Sequence, residues 1–263
     1  MIFLPGILKD RVAIVTGGGT GIGKAIALEL AGLGADVVVA SRDLQHLEPT
    51  AMEIRALGQR GLAVPTDIRI PAQVEALVEQ TVAQLGKIDI HINNAGGQYS
   101  GPAEELSVEG WRSVVDLNLN GTFYCTQAVA RQMMHTGGGV IISIVASFGL
   151  RGTPGLAHSS AARAGVINLT RTLALEWAKH NIRVNAIAPG VIMTEGALSE
   201  MLITPDAIEQ IERAIPLKRL GTPDDIAQLV VFLVSDAATY ITGETIAADG
   251  GNWHGHGLSF VPY

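Results

Sequence analysis

Thr16-Gly17-Gly18-Gly19-Thr20-Gly21-Ile22-Gly23 stands directly after a β-branched run, Val12–Thr16, and directly before a stretch of helical period. Glycines in that place let the backbone turn tightly and approach a ligand closely. The helix start adds unpaired N–H groups and a partial positive charge suited to a pyrophosphate. A merely tight turn would explain the glycines but not their place between strand and helix. The next β-branched run ends in Ala40-Ser41-Arg42, with no acid at its tip. An acid there would accept from a ribose 2′-hydroxyl and repel a 2′-phosphate, whereas a hydroxyl followed by a guanidinium does the reverse. The pattern favours NADP(H) over NAD(H), although Asp43 is near enough in sequence to neutralise part of Arg42. A solvated arginine at a helix start is the competing reading.

Such a site has to be carried by strands that end on one side of a sheet. From Val12 the chain alternates short β-branched runs with longer helical stretches, the pattern of βαβ units around a parallel sheet buried on both faces. Strands are expected at Val12–Thr16, Val37–Ala40, Gly61–Val64, Ile88–Ile92, Val140–Ile144, Arg183–Ile187 and Thr245–Ala248. Helices are expected at Lys24–Leu33, Pro49–Ala56, Pro71–Leu85, Ser107–Ala130, Ser159–Lys179 and Pro223–Val234. Pro71 and Pro223 suit first-turn positions, while Pro49 makes its helix start late or bend. With no repeat, low-complexity segment or long linker, residues 1–263 read as one Rossmann-like α/β domain, a doubly wound parallel sheet with helices on both faces. The segment 189–216 has no strand character and reads as a mobile cover over the substrate, with short helices.

At 263 residues and 48% apolar content the chain can fill one large core, and a net charge of −7 offers no basic field for nucleic acid or an anionic membrane surface. The lone Cys125 excludes an internal disulfide and a cysteine metal cluster, and buried packing explains it better than reactivity. Met1 to Asp10 has no secretory pattern, Leu229 to Val234 is too short to span a bilayer, and Phe260-Val261-Pro262-Tyr263 is no peroxisomal address, so the cytoplasm is the expected location. His254 and His256 lack a third ligand at a defined spacing, which points to tail packing and to no metal.

Further motifs follow in order. Asp67 comes after the third strand, Asn93-Asn94-Ala95-Gly96 ends the fourth, and Asn118 lies in Asp116-Leu117-Asn118-Leu119. Pro189-Gly190 with Ile192 and Thr194 follows the sixth strand, and Asp249-Gly250-Gly251 follows the last. Together with Gly17-x-x-x-Gly21-x-Gly23, this series resembles the short-chain dehydrogenase/reductase enzymes from about Asp10 to Gly251. The resemblance implies a small-molecule substrate, a homotetramer with helices around Trp111–Ala130 and Ser159–Lys179 between subunits, and an active-site role for Asn118. It implies cofactor contacts from Gly17, Gly19, Thr20, Gly21, Ile22, Gly23, Ser41, Arg42, Asp67, Ile68, Asn94, Ala95, Gly96, Arg163, Pro189, Gly190, Ile192 and Thr194.

The family pairs a tyrosine with a lysine four residues on, with a serine upstream. In His158-Ser159-Ser160-Ala161-Ala162-Arg163-Ala164-Gly165-Val166 those positions carry Ser159 and Arg163, and the upstream serine position falls near Ala146, beside Ser147. Tyr99, Tyr124 and Tyr240 are followed four residues later by Ala103, Ala128 and Glu244, so no displaced pair exists. A serine hydroxyl titrates far above tyrosine's value of about 10 and an arginine stays charged, so this pair donates hydrogen bonds but does not relay a proton. Ketone reduction makes an alkoxide that needs an acid at once, whereas reduction of an enoyl thioester makes an enolate that needs oxyanion stabilisation and can be protonated later. Asn94-Ala95-Gly96-Gly97-Gln98-Tyr99 and the Ser159 stretch are also similar to trans-2-enoyl-CoA reductases. The 2,4-dienoyl-CoA reductases likewise lack the helix tyrosine; the tyrosine they place elsewhere corresponds to Val145 here. The expected reaction is NADP(H)-dependent reduction of an enoyl thioester, with acyl-CoA as the partner and Asn118, Ser159 and Arg163 as site residues. Two alternatives stand beside it: an alcohol or ketone oxidoreductase using His158 or Tyr99 as acid, and a silent dinucleotide-binding protein. Arg151, Lys218 and Arg219 are candidates for coenzyme A phosphates, with plain surface charge the commoner explanation.

Overall fold

The computed structural model describes residues 3–194, 196 and 205–254. Seven parallel strands form one sheet in the order β3-β2-β1-β4-β5-β6-β7. They are β1 (Val12–Thr16), β2 (Asp36–Ser41), β3 (Gly61–Pro65), β4 (Ile90–Asn93), β5 (Gly139–Ile144), β6 (Ile182–Pro189) and β7 (Thr245–Ala248). The helices are α1 (Gly21–Gly32), α2 (Leu44–Ala56), α3 (Pro71–Leu85), α4 (Val108–Val115), α5 (Gly121–Thr136), α6 (Ala157–Trp177), α7 (Pro205–Ala214) and α8 (Pro223–Val234). The strand order reverses between β1 and β4, and β1 pairs in parallel with both β2 and β4, as Val15↔Val39 and Val15↔Ile92 show. A crevice therefore opens at their carboxyl ends, where ligands bind in open α/β sheets.

The pleat sends alternate side chains to opposite faces and helices cover both, so these runs are apolar throughout rather than alternating. Ala13 and Val15 of β1 pack with Ile26 and Leu30 of α1, Leu47 and Ile54 of α2, and Val230 and Val231 of α8. Val12 and Ile14 point to the other face, with Leu77 of α3, Val129 and Met133 of α5 and Leu173 of α6. Each fully buried Ile, Val or Leu contributes roughly 1.5–3 kcal/mol of transfer free energy, so both faces supply the core. Cys125 is buried in a smaller cluster with Ile68 and Val74, and burial pushes its thiol up to about 12. None of the described helices is long and apolar enough to cross a membrane.

Local chemistry sets the ends. Pro71 opens α3, and Gly86 closes it at φ 91°. Thr222 and Asp225 form a reciprocal capping box at the start of α8. Several limits differ from the sequence reading by a few residues, among them the starts of α1, β4 and α6 and both ends of β6, and two larger differences have a physical cause. The α2 helix starts at Leu44 and runs through Pro49, because Asp43 caps it by accepting from the Gln45 N–H at 2.8 Å and its buried face of Leu47, Thr50, Ala51 and Ile54 holds it to the sheet. The stretch expected as one helix from Ser107 to Ala130 is α4, a π-helical turn at Asp116–Asn120, and α5, which continues to Thr136.

Candidate active site

The glycine loop is built by sterics. Gly17 and Gly21 adopt φ of 64° and 51°, the left-handed region that side chains avoid. A Cβ on Gly23 would lie 2.1 Å from the Gly17 carbonyl oxygen and 2.4 Å from Asn94 Nδ2, and one on Gly19 would lie 2.6 Å from the His46 carbonyl oxygen. Thr16 and Asn94 lock this loop to the end of β4. Thr16 Oγ1 donates to the Ile92 carbonyl and accepts from the N–H groups of Asn94 and Ala95 at 3.0 and 3.1 Å. Asn94 Nδ2 donates to the carbonyls of Thr16 and Gly17 at 3.0 and 3.2 Å. Thr20 stands at the N-cap of α1 without a side-chain cap, which leaves the first helical N–H groups facing the crevice.

That crevice is a cleft of about 590 Å³ bordered by Gly17, Gly19, Thr20, Ser41, Arg42, Asp67, Ile68, Ala95 and Gly96. At its far end the Ser41 hydroxyl leans to the Asp43 carbonyl at 3.4 Å, and the Asp43 carboxylate is turned onto α2 as its cap, not onto Arg42. Asp67 is held by Arg69, whose Nε donates to its two oxygens at 2.9 and 3.1 Å. That hydrogen bonding is the main reason the Asp67 carboxyl sits below its usual value, with the charges of Arg69 and Arg42 adding to it. Arg69, which holds this cleft residue in place, was missed by sequence reasoning; an arginine two positions after the motif acid was its only trace.

The inner end is the more unusual part. Arg163 on α6 is 8% exposed, its Nη1 donates to the Ile144 carbonyl at 3.0 Å, and its Nε has no partner. Among the described residues no carboxylate pairs with it, and burial pulls its guanidinium down to about 10, still charged at neutral pH. A Cβ on Gly96 would fall 2.2 Å from Arg163 Nη2 and 2.7 Å from Asn118 Oδ1, so the glycine keeps that space open. Asn118 lies on the π-turn, an irregularity frequent at functional sites. Its Nδ2 donates to the carbonyls of Gly97 and Val114 at 2.7 and 2.9 Å, and its Oδ1 accepts from the Gly97 N–H at 3.3 Å.

Ser159 and His158 begin α6 and both are fully buried. Ser159 Oγ donates to Gln98 Oε1 at 2.7 Å, and His158 Nδ1 accepts from the Ser159 backbone N–H at 2.7 Å. That acceptor role fixes the histidine's remaining proton on Nε2, which has no partner, and desolvation lowers its pKa. The Tyr99 ring meets the His158 ring edge to face, with centroids 4.7 Å apart, while its hydroxyl reaches toward Gly110 of α4.

Other sequence-predicted residues are more scattered. Ser147 is nearly buried at the start of a short 3-10 turn. Ile22 is partly buried against the core, and Ile68 packs on Gly121 at the start of α5. Pro189 ends β6, Gly190 packs on Asp249, and Thr194 comes back to Gly21. Ile192 instead borders a second cavity of about 570 Å³ beside β7, with Ile215 and Leu217. Val145 is in a small core cluster with Val166 and Ile167. Arg219 pairs with Asp225, Lys218 bonds the Arg213 carbonyl, and Arg151 bonds the Asn252 carbonyl. Among the described residues no three His, Cys, Asp or Glu side chains are grouped to hold a metal. His256 and parts of the segment 189–216 lie outside the described residues.

Comparison with known proteins adds four findings. A family model described as Enoyl-(Acyl carrier protein) reductase matches residues 17–252. The chain is 41% identical over 248 residues to the probable 2,4-dienoyl-CoA reductase [(2E)-enoyl-CoA-producing] of Bacillus subtilis (strain 168), covering 94% of this chain and 98% of that protein. It is 41% identical over 246 residues to the 3-oxoacyl-[acyl-carrier-protein] reductase of Synechocystis sp., covering 93% and 97%. Among solved structures, a short chain dehydrogenase from Bacillus anthracis superposes with a TM-score of 0.86 at 42% identity, covering 97% and 100%.

Proposed function

The chain belongs to the short-chain dehydrogenase/reductase family, oxidoreductases that bind NAD(P), and from that premise we propose that it is an NADP(H)-dependent reductase of α,β-unsaturated acyl thioesters. The observation that carries the substrate class is the chemistry of the inner site: a buried, still-charged arginine and a histidine whose Nδ1 is committed to the helix, with Ser159 between them in chain order. None of these gives up a proton readily near pH 7, as an alkoxide would require. An enolate needs only dipoles aimed at its oxygen and takes its proton afterward from water. The Bacillus subtilis relative, a probable 2,4-dienoyl-CoA reductase, supports the same substrate class.

The residues present fit a dinucleotide. Its pyrophosphate would rest on the Gly17–Gly23 loop and the uncapped N-terminus of α1, and its adenine beside Asp67 and Ile68. Ser41 and Arg42 would hold a 2′-phosphate, and Arg163, beside Asn94, Ala95 and Gly96, would hold the inner ribose. A bound NADPH supplies two electrons and a hydrogen to the substrate. Pro189, Gly190 and Thr194 would border the nicotinamide side in this reading, with the segment 189–216 as the substrate cover. Asn118 would keep the Gly97 backbone in place from both its N–H and its carbonyl.

The test is purified protein with NADPH and a panel of enoyl- and dienoyl-CoA thioesters, ketones and aldehydes, followed by loss of nicotinamide absorbance. Turnover of the unsaturated thioesters alone is the expected result. Carbonyl turnover abolished by His158→Ala or Tyr99→Phe would establish the alcohol–ketone reaction instead. NADPH binding without turnover of any compound would leave a dinucleotide-binding protein.

A further inference from the structure

At the outer end of the cleft His46 stands beside Ser41 and Arg42. It lies on the first turn of α2, and that turn is pinned to the glycine loop. A Cβ on Gly19 would fall 2.6 Å from the His46 carbonyl oxygen and 3.1 Å from its Cβ, and Thr50 Oγ1 donates to the Gly19 carbonyl at 3.3 Å. The His46 backbone is therefore fixed at the mouth of the cleft, while its ring is exposed and makes no hydrogen bond among the described residues. Asp43 Oδ2 is 4.0 Å from its Nδ1, and the other oxygen of that carboxylate accepts from the Gln45 N–H. Arg42 just after β2, and Asp67 held by Arg69 after β3, are the other charged groups on this side of the cleft. Lys24 of α1 and Glu53 of α2 are paired to each other at 2.8 Å, and the loop from Gly17 to Gly21 carries no ionisable side chain.

We propose that His46 is a specificity-determining residue: as an imidazolium it binds the cofactor's 2′-phosphate alongside Ser41 and Arg42, so the preference for NADPH over NADH rises as pH falls from about 8 to about 6.5. This rests on the 2′-phosphate reading. A phosphate monoester loses its second proton near pH ~6 and is mostly a dianion at neutral pH. A histidine side chain ordinarily titrates near ~6.5, so a dianion placed against it favours the protonated ring. Binding of NADPH then takes a proton from water onto the imidazole, and by linkage a lower pH tightens the complex. Arg42 adds affinity but no such dependence, because a guanidinium stays charged throughout. Asp43 also favours the protonated ring, but it does so with and without cofactor and creates no difference between the two. NADH has a hydroxyl where NADPH has the phosphate, and it presents no charge to the imidazolium.

The test titrates NADPH and NADH into the full-length wild type, His46→Gln and His46→Arg, with nicotinamide fluorescence as the readout and ionic strength held constant. Dividing the wild-type Kd by that of His46→Gln at the same pH removes the titration of the phosphate itself, which both proteins share. Between about pH 8.5 and about pH 6.5 that ratio should fall about 5-fold for NADPH, the size of one exposed ion pair, and stay level for NADH. His46→Arg keeps a cation at every pH, so its NADPH ratio to His46→Gln should equal the wild type's low-pH value throughout. A level NADPH ratio for the wild type, or an equal fall with NADH, would overturn the proposal while NADPH remains the preferred cofactor through Ser41 and Arg42. A wild type that binds NADPH no more tightly than NADH at any pH would overturn both the proposal and the 2′-phosphate reading.

Discussion

Replacing Arg163 with methionine should make the ligand-free protein more stable and the cofactor complex weaker. Burial holds the guanidinium from 12.5 down to about 10, which corresponds to about 3 kcal/mol set against its charged form in the fold. In the unfolded chain the same group is fully solvated. The cost is therefore present in full at neutral pH and fades only above pH 10, as the folded protein begins to release the proton. Methionine keeps the aliphatic contact beside Gly149 and removes the charge, but leaves the Ile144 carbonyl without its donor, a loss of about 1 kcal/mol. The balance is a gain of about 2 kcal/mol, or about 4 °C in Tm for a chain of this size. A hydrogen bond from a charged donor to the cofactor is worth about 1.5–3 kcal/mol, so NADPH should bind about 10- to 100-fold more weakly. Thermal and urea unfolding of the ligand-free variant, with a fluorescence titration of NADPH, measure both effects. A variant that melts several degrees lower and binds NADPH as tightly as wild type would refute the reasoning, since Arg163 would then be a structural group that the fold satisfies.

Three further perturbations probe neighbouring parts. Gly96→Ala puts a methyl group 2.2 Å from Arg163 Nη2, so it should weaken NADPH binding at least about 10-fold while far-UV circular dichroism stays native. Arg42→Ala should raise the Kd for NADPH about 10-fold and leave that for NADH alone; equal effects on both would remove the 2′-phosphate reading. His91, fully buried on β4 and bonded to Asn93 at 2.9 Å, is lowered to about 4 by desolvation. The unfolded chain then binds a proton that the folded chain refuses, so stability falls as pH drops from 6.5 toward 4. Between pH 8 and pH 5 the wild type should lose about 2 kcal/mol more than His91→Gln in urea unfolding, and parallel pH profiles would show that His91 is not the group responsible.

Most of the fold could be read from local chemistry. Each β-branched run became a strand because a sheet covered on both faces accepts apolar side chains at every position, and the expected limits of β1, β7, α3 and α8 are those observed. The π-turn at Asp116–Asn120 was not readable, because helical periodicity continues on both sides of it and a single extra residue leaves no compositional mark. Pro49 misled for a related reason. Its lost hydrogen bond is local and visible in the sequence, whereas the sheet contacts of Leu47, Ala51 and Ile54 that outweigh it are tertiary.

The cofactor end was legible for a steric reason and the inner end was not for an electrostatic one. Gly17, Gly21 and Gly23 are where they are because any side chain would collide or strain, and that demand is written in residue type. Arg163 and Ser159 were also visible as types, but what decides their chemistry is who stands beside them. Whether a guanidinium has a carboxylate partner depends on all the elements packed around it, and Ser159 meets a glutamine 61 positions away in the chain. Asp67 with Arg69 and His158 with the Ser159 backbone are short-range pairs, yet each competes with several equally short alternatives that only the folded backbone eliminates. A site read from residue types alone will therefore overstate groups like Ser159, whose proton the fold has already committed.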